Sequence, residues 1–236
     1  MRIGAMLITD GVHTFQSFGG HRGTLRYQGR LEACLRALVY QEFDEILIAL
    51  PAYFSSVRDL LAFEKLRISI EQSYVSLPIT LSGGTTENLN SLIVNQQCIE
   101  RISANSMLFQ RDALEKLKSL QGHFGEQFII ANIVINYSNG KWWFADYSKQ
   151  KFYDIEQIDY DLLNQFDEIV FHFIGQQGTV QDFKGVKKLT ARIDNSKIIL
   201  AGGMNNKKVI DEAKRLNLAA VLVDNHALYS EHVHAM

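Results

Sequence analysis

The chain predicts an α/β fold, a closed (β/α)8 barrel, on three observations: apolar runs that recur eight times, amphipathic stretches between most of them, and an echo between its two halves. The runs span Ile3 to Ile8, Ile46 to Leu50, Ile79 to Leu81, Ile99 to Ala104, Phe128 to Ile135, Ile169 to Phe173, Ile198 to Ala201 and Ala219 to Val223. They are rich in Ile, Val, Leu and Phe, as expected of parallel strands covered on both faces. An open doubly wound sheet is the alternative, but it gives no reason for like-for-like repeats at half the chain length.

Taken in order, the first run ends near Asp10 and leads into Phe15 to Tyr27, a long glycine-rich stretch carrying Arg22 and Arg26. That stretch reads as a surface loop or as a lid over a phosphorylated ligand. Gly29 to Gln41 carries apolar residues at helical spacing and links the first two strands, and Asn206 to Leu216 does the same before the last. The halves then repeat. Asp44-Glu45-Ile46 recurs as Asp167-Glu168-Ile169, and the run Ile79 to Gly84 recurs as Ile198 to Gly203, offset by 119 residues in a chain of 236. A half-barrel duplicated and fused leaves such a trace. One domain over residues 1–236 is expected.

The bulk numbers narrow the function classes. With 24 Lys and Arg against 26 Asp and Glu, the formal charge is -2, so the chain lacks the broad basic field that nucleic acid binding requires. Cys34 and Cys98 belong to no metal-spaced cluster and read as reduced packing residues. The first apolar run meets Asp10 too soon for a signal peptide or membrane span, so a cytoplasmic protein without membrane contact is expected.

Several residues are placed to carry chemistry. Ser82-Gly83-Gly84 and Ala201-Gly202-Gly203 each follow a strand and precede a helix, where glycine lets backbone N–H groups approach an anion. Further strand ends at Asn105-Ser106 and Asp224-Asn225 supply a possible second half to each phosphate cradle. The bland reading of each glycine pair is a tight turn. Asp10, His172, Asp224 and His226 stand near C-terminal strand ends, where barrel loops form the active face. A single histidine such as His172 is more often a packed residue. His232 and His234 lack an acidic or cysteine partner, so no metal site and no cofactor are expected.

Arg2, Glu45, Arg101 and Glu168 stand at the starts of four apolar runs. Charged residues often begin strands because the chain meets water there. Two acids and two bases at one barrel mouth instead invite salt bridging across the axis, because unpaired charges in a narrowing barrel are costly to desolvate.

Together these features resemble the cyclase subunit of imidazole glycerol phosphate synthase and its relatives in histidine biosynthesis. The resemblance is carried by Arg2 to Leu7, Asp44-Glu45, Leu77 to Gly84, Arg101 to Ser106, Gly178-Thr179 and Ile198 to Gly203. It implies a TIM barrel of the ribulose-phosphate-binding type with two phosphate sites at its C-terminal face. Gly83, Gly84, Asn105, Ser106, Gly178, Gly202, Gly203 and Asn225 are the candidate phosphate residues. It also implies a glutaminase partner on the N-terminal face that sends ammonia through the barrel. Arg2, Glu45, Arg101 and Glu168 fall at the positions of that family's ammonia gate, with Arg101 where lysine is usual.

The chemistry end departs from the family. Its two catalytic aspartates, on strands one and five, align with Leu7 or Ile8 and with Val134. The usual Asp-Arg-Asp-Gly-Thr after strand six reads Gly175-Gln-Gln-Gly-Thr179, and the second small-residue phosphate turn reads Val223-Asp224-Asn225. The chain more closely resembles one branch of that family, the barrels from surface polysaccharide clusters that work with a glutaminase and a sugar amidotransferase. The expectation is therefore an ammonia-receiving barrel with altered or lost cyclase chemistry. The alternatives are an enzyme in which His172, Asp224 and His226 replace the missing aspartates and act on a phosphosugar, Asp10 being near the first of those positions but displaced from it, and a non-catalytic barrel that binds a phosphorylated ligand.

Overall fold

The computed structural model describes residues 1–18, 24–50, 60–83, 98–146, 149, 151–176 and 181–224. Its barrel strands are β1 (Arg2–Thr9), β4 (Glu45–Ala49), β5 (Ile79–Ser82), β6 (Arg101–Ala104), β7 (Ile129–Ser138), β10 (Ile169–Phe173), β11 (Ile198–Ala201) and β12 (Ala220–Val223). Each pairs in parallel with the next in that order. β12 returns to β1, with Arg2 opposite Ala220 and Gly4 opposite Leu222, so the barrel closes.

Pleat alternation divides the apolar residues into two layers. Met6, Ile8, Leu47, Ile130, Val170 and Ile199 belong to the cluster that fills the barrel. Their strand neighbours Leu7, Ile46, Ile48, Ile129, Ile169 and Ile198 belong to the larger outer cluster, which also holds apolar residues of the helices. The helix Leu31–Val39 shows why that layer forms. It buries Leu31, Cys34, Leu35 and Leu38, the 3–4 spacing of one helix face. The second stretch read as helical forms Lys207–Arg215, which buries Val209, Ile210 and Ala213.

The echo between the halves has a physical basis. A Cβ on Gly83 would stand 2.0 Å from the carbonyl oxygen of Leu50, and one on Gly202 would stand 2.2 Å from that of Phe173. In each half the glycine at a strand end lies against the backbone at the end of the neighbouring strand, at φ +116 and +92 respectively. Any larger residue would force the two strand ends apart.

The loop reading of Phe15 to Tyr27 is corrected by the structure. β2 (His13–Phe18) and β3 (Thr24–Arg30) form an antiparallel hairpin, with Phe15 opposite Tyr27 and Gln16 opposite Arg26. The hairpin extends the sheet from β1 through Ile8 opposite Phe15 and Thr9 opposite Thr14. Gly19, Gly20 and Gly23, which prompt the loop reading, lie outside the described residues together with Arg22. Cross-strand pairing on either side of them decides the structure.

A second hairpin follows the fifth barrel strand. β7 turns through Asn139 (φ 52) and Gly140 (φ 75) into β8 (Lys141–Asp146), which pairs with β9 (Lys151–Asp154). Asn-Gly with positive φ at both positions is the tight hairpin turn whose twist suits the strands. Both hairpins thus follow the first strand of a half-barrel. Among the described residues, no helix is long and apolar enough to cross a membrane.

Candidate functional site

At the N-terminal mouth the structure brings together Arg2, Glu45, Arg101 and Glu168. Arg2 pairs with Glu45, Nε to Oε1 at 3.4 Å, and donates from Nη2 to Glu168. Arg101 closes the circuit, with Nη2 on Glu45 and Nη1 on Glu168. Both carboxylates therefore accept from both guanidinium groups. The Glu45 side chain is 4% exposed, whereas that of Arg2 keeps 42%, so the ring has one outward-facing member. Burial acts to lower the Arg2 pKa, but its hydrogen bond to Glu168 and the charges of both acids hold it above the ordinary value.

Gly4 makes room for this ring. A Cβ there would lie 2.8 Å from Cγ of Glu45 and 2.7 Å from Cδ2 of Leu222. The absence of a side chain lets Glu45, opposite Gly4 in the register, lie across the barrel.

Above the ring the barrel interior has a polar side. Thr80, opposite Arg101, together with Ser82, Ser103 and Asn132, occupies inner positions on three neighbouring strands, and all four are buried. Asn132 donates from Nδ2 to Oγ of Ser82 at 3.1 Å and to Oγ of Ser103 at 3.5 Å, while its buried Oδ1 has no hydrogen-bond partner among the described residues. Sequence reasoning missed this wall. Its signal is polar residues two apart, Thr80 with Ser82 and Arg101 with Ser103, in otherwise apolar strands.

The C-terminal mouth holds the candidate acid–base residues. Asp10 continues the inward side of β1 beyond Met6 and Ile8, but its carboxylate is engaged in a local turn. Oδ1 accepts from the backbone N–H of Val12 at 2.9 Å and of His13 at 2.7 Å, and Oδ2 lies 3.1 Å from Nδ1 of His13. Burial acts to raise the Asp10 pKa, but these N–H groups and the imidazole bring it below the usual carboxylate value. His172 is an inner residue of β10, opposite Val134 and Ala201. It is 9% exposed, and burial lowers its pKa to about 4, so it is a neutral imidazole at pH 7. Asp224 directly follows β12 and is buried at the same end of the barrel.

The positions aligned with the family's aspartates are now resolved into layers. Ile8 belongs to the inner cluster and Leu7 to the outer one, so the inward residue on strand one is Ile8. Val134 packs with Ala145 and Ile174. No carboxylate replaces either side chain at its own position.

The candidate phosphate residues are partly committed to structure. Gly83 and Gly202 are required by the strand contacts described above. Gly203 has φ +77, and its carbonyl accepts from the N–H of Gln181 at 3.2 Å, while Nε2 of Gln181 donates to the carbonyl of Gly202 at 3.2 Å. Asn105 donates from Nδ2 to the carbonyls of Asn132 and Ala145, at 2.9 and 3.2 Å, which ties the second hairpin to the barrel. Ser106 begins the short 3-10 helix Ser106–Phe109. Gly84, Gly178, Asn225, His226, His232 and His234 lie outside the described residues.

Among known families, the one described as Histidine biosynthesis protein matches residues 21–234. No curated protein matches the chain.

Proposed function

This chain belongs to the histidine biosynthesis protein family, and we propose that it is a divergent cyclase-like subunit that takes up glutamine-derived ammonia through its barrel. A glutaminase docked on the N-terminal face supplies the ammonia, and the cyclase chemistry at the other end is altered or lost. The observation that carries this reading is the closed ring of Arg2, Glu45, Arg101 and Glu168 at the mouth opposite the usual active face. Such a ring excludes free ions while a small neutral molecule passes when one pair opens. Beyond it, Thr80, Ser82, Ser103 and Asn132 offer ammonia hydrogen-bonding partners beside the apolar side chains of the inner cluster.

The acceptor, in this reading, is a phosphorylated small molecule held near Gly83, Gly84, Asn105, Ser106, Gly178, Gly202, Gly203 and Asn225. Amidation of a surface sugar in the cytoplasm, with a sugar amidotransferase as a further partner, fits the loss of the family's two aspartates.

The test is co-purification from the native source. A class I glutaminase should be recovered, with its activity raised by this chain; recovery of none removes the basis of the reading. In the reconstituted complex, Arg2→Ala or Glu168→Ala should uncouple glutamine hydrolysis from amination of the product. A second reading, in which His172 and Asp224 support altered chemistry, draws on the neutral state of His172. Turnover of the cyclase's bisphosphate substrate with ammonium salts, at a rate comparable to an ordinary family member, would favour it.

A further inference from the structure

The C-terminal mouth also contains His13. We infer that His13 is the proton-transfer group of this mouth, and that Asp10 positions its ring rather than reacting with a ligand itself. The inference rests on the proposed reading of the C-terminal mouth as the reacting end and gives that end a specific group.

The geometry begins with the backbone. His13 is fixed on both sides, its N–H donating to Asp10 Oδ1 and its carbonyl accepting from Oγ1 of Thr9 at 2.6 Å. Oγ1 of Thr9 in turn accepts from the N–H of Gly11 at 2.9 Å, so the turn at the end of β1 is tied internally. On this frame the other Asp10 oxygen meets Nδ1 of His13 at 3.1 Å. An ionised carboxylate only accepts hydrogen bonds, so neutral His13 must carry its proton on Nδ1 and leave a lone pair on Nε2.

That lone pair lies on the ring nitrogen remote from Nδ1, and so on the side of the ring away from Asp10. The His13 side chain is 43% exposed and that of Asp10 is 29% exposed. The Tyr27 ring meets the imidazole edge-on at 5.6 Å and stands 6.3 Å from Phe15, whose strand partner is the inward-facing Ile8. The ring thus sits on the hairpin face that continues the barrel interior, with aromatic groups beside it. Arg30, the cross-strand partner of His13, pairs with Glu32, so its charge is already matched.

In the transfer step, Nε2 takes a proton from an N–H or O–H of the bound ligand. The imidazolium so formed lies against the ionised Asp10, and the proton then passes to solvent or back to the ligand.

The decisive substitution is Asp10→Asn. Its Oδ1 still accepts from Val12 and His13 and preserves the turn, but its Nδ2 now donates toward Nδ1 of His13. The imidazole proton must then move to Nε2, which removes the lone pair.

Long-range 1H–15N NMR of the full-length chain, labelled on histidine, should find the proton of neutral His13 on Nδ1, and on Nε2 in Asp10→Asn. Carbethoxylation by diethyl pyrocarbonate, read peptide by peptide, supplies a second measure, with exposed His123 as internal reference. His13 should react faster than His123, and Asp10→Asn should slow His13 by about tenfold or more because its nucleophilic nitrogen is lost. Inorganic phosphate, as a probe of the mouth, should protect His13 and leave His123 unchanged. A proton on Nε2 in the natural chain, an unchanged rate ratio in Asp10→Asn, or no protection by phosphate would each overturn the inference. None of these measurements involves the glutaminase, so a failed co-purification and a failed dyad are separate results.

Discussion

At the N-terminal mouth, four charges contributed by four strands satisfy one another across the barrel axis. At the C-terminal mouth, Asp10 is satisfied by groups two and three residues away, and His172 is kept neutral by burial. The first arrangement exists only once the barrel has closed, because its partners lie 43 to 166 residues apart. The Asp10 arrangement needs little more than a local turn. Removing one group should therefore disturb the first mouth through charges left behind, and the second through protonation and proton position.

The largest effect is expected from Arg101→Ala. It leaves Glu45 and Glu168 facing each other with only Arg2 between them, and should cost about 3–5 kcal/mol of stability in chemical denaturation. A loss below about 1 kcal/mol would mean that the ring is not a coupled unit.

His172 tests the other mouth through pH. Its folded pKa of about 4 lies below the ordinary histidine value of 6.5, so the unfolded chain binds the proton first as pH falls. The contribution is present above pH 6.5, is lost as pH falls toward 4, and levels off below that. Denaturation series over this window should show the natural chain losing roughly 3 kcal/mol more than His172→Gln. Parallel curves for the two proteins would remove the neutral-histidine account.

Gly202→Ala probes the strand-end contact at the C-terminal mouth. A side chain at φ +92, 2.2 Å from the carbonyl oxygen of Phe173, should cost about 2 kcal/mol or more, measured as a shift in the denaturation midpoint. The smallest stability effect is expected for Asp10→Asn, below about 0.5 kcal/mol, because asparagine serves equally well as a local acceptor. A larger loss would show that the carboxylate's charge, and not its turn geometry, holds that end together.

The fold was legible because burial on both faces leaves a direct mark on the sequence. Ile46 to Leu50 and Ile169 to Phe173 are apolar without interruption, and the structure makes each a barrel strand. The charge ring was legible for the opposite reason, since an acid or base beside such a run stands out. The two hairpins were not read. Gly19, Gly20 and Gly23 give the first hairpin the composition of a loop, and Asn139-Gly140 is a hairpin signal too short to mark the second by itself. His13 was missed because its role comes from Asp10, and a histidine three residues after an aspartate has no distinctive spacing.

The sequence by itself determined the alternation of strand and helix, the duplication of glycine pairs and the placement of four charges at strand starts. These follow from local chemistry: continuous apolar runs, residues without a Cβ, and charge beside greasy segments. Only the tertiary structure decided that Ile8 faces inward and Leu7 outward, that Gly4 clears space for Glu45, and that Asp10 turns onto His13. Side chains alternate with a period of two along a strand, so a shift of one residue reverses what faces the axis. Closing the barrel fixes that register, and with it which charges meet.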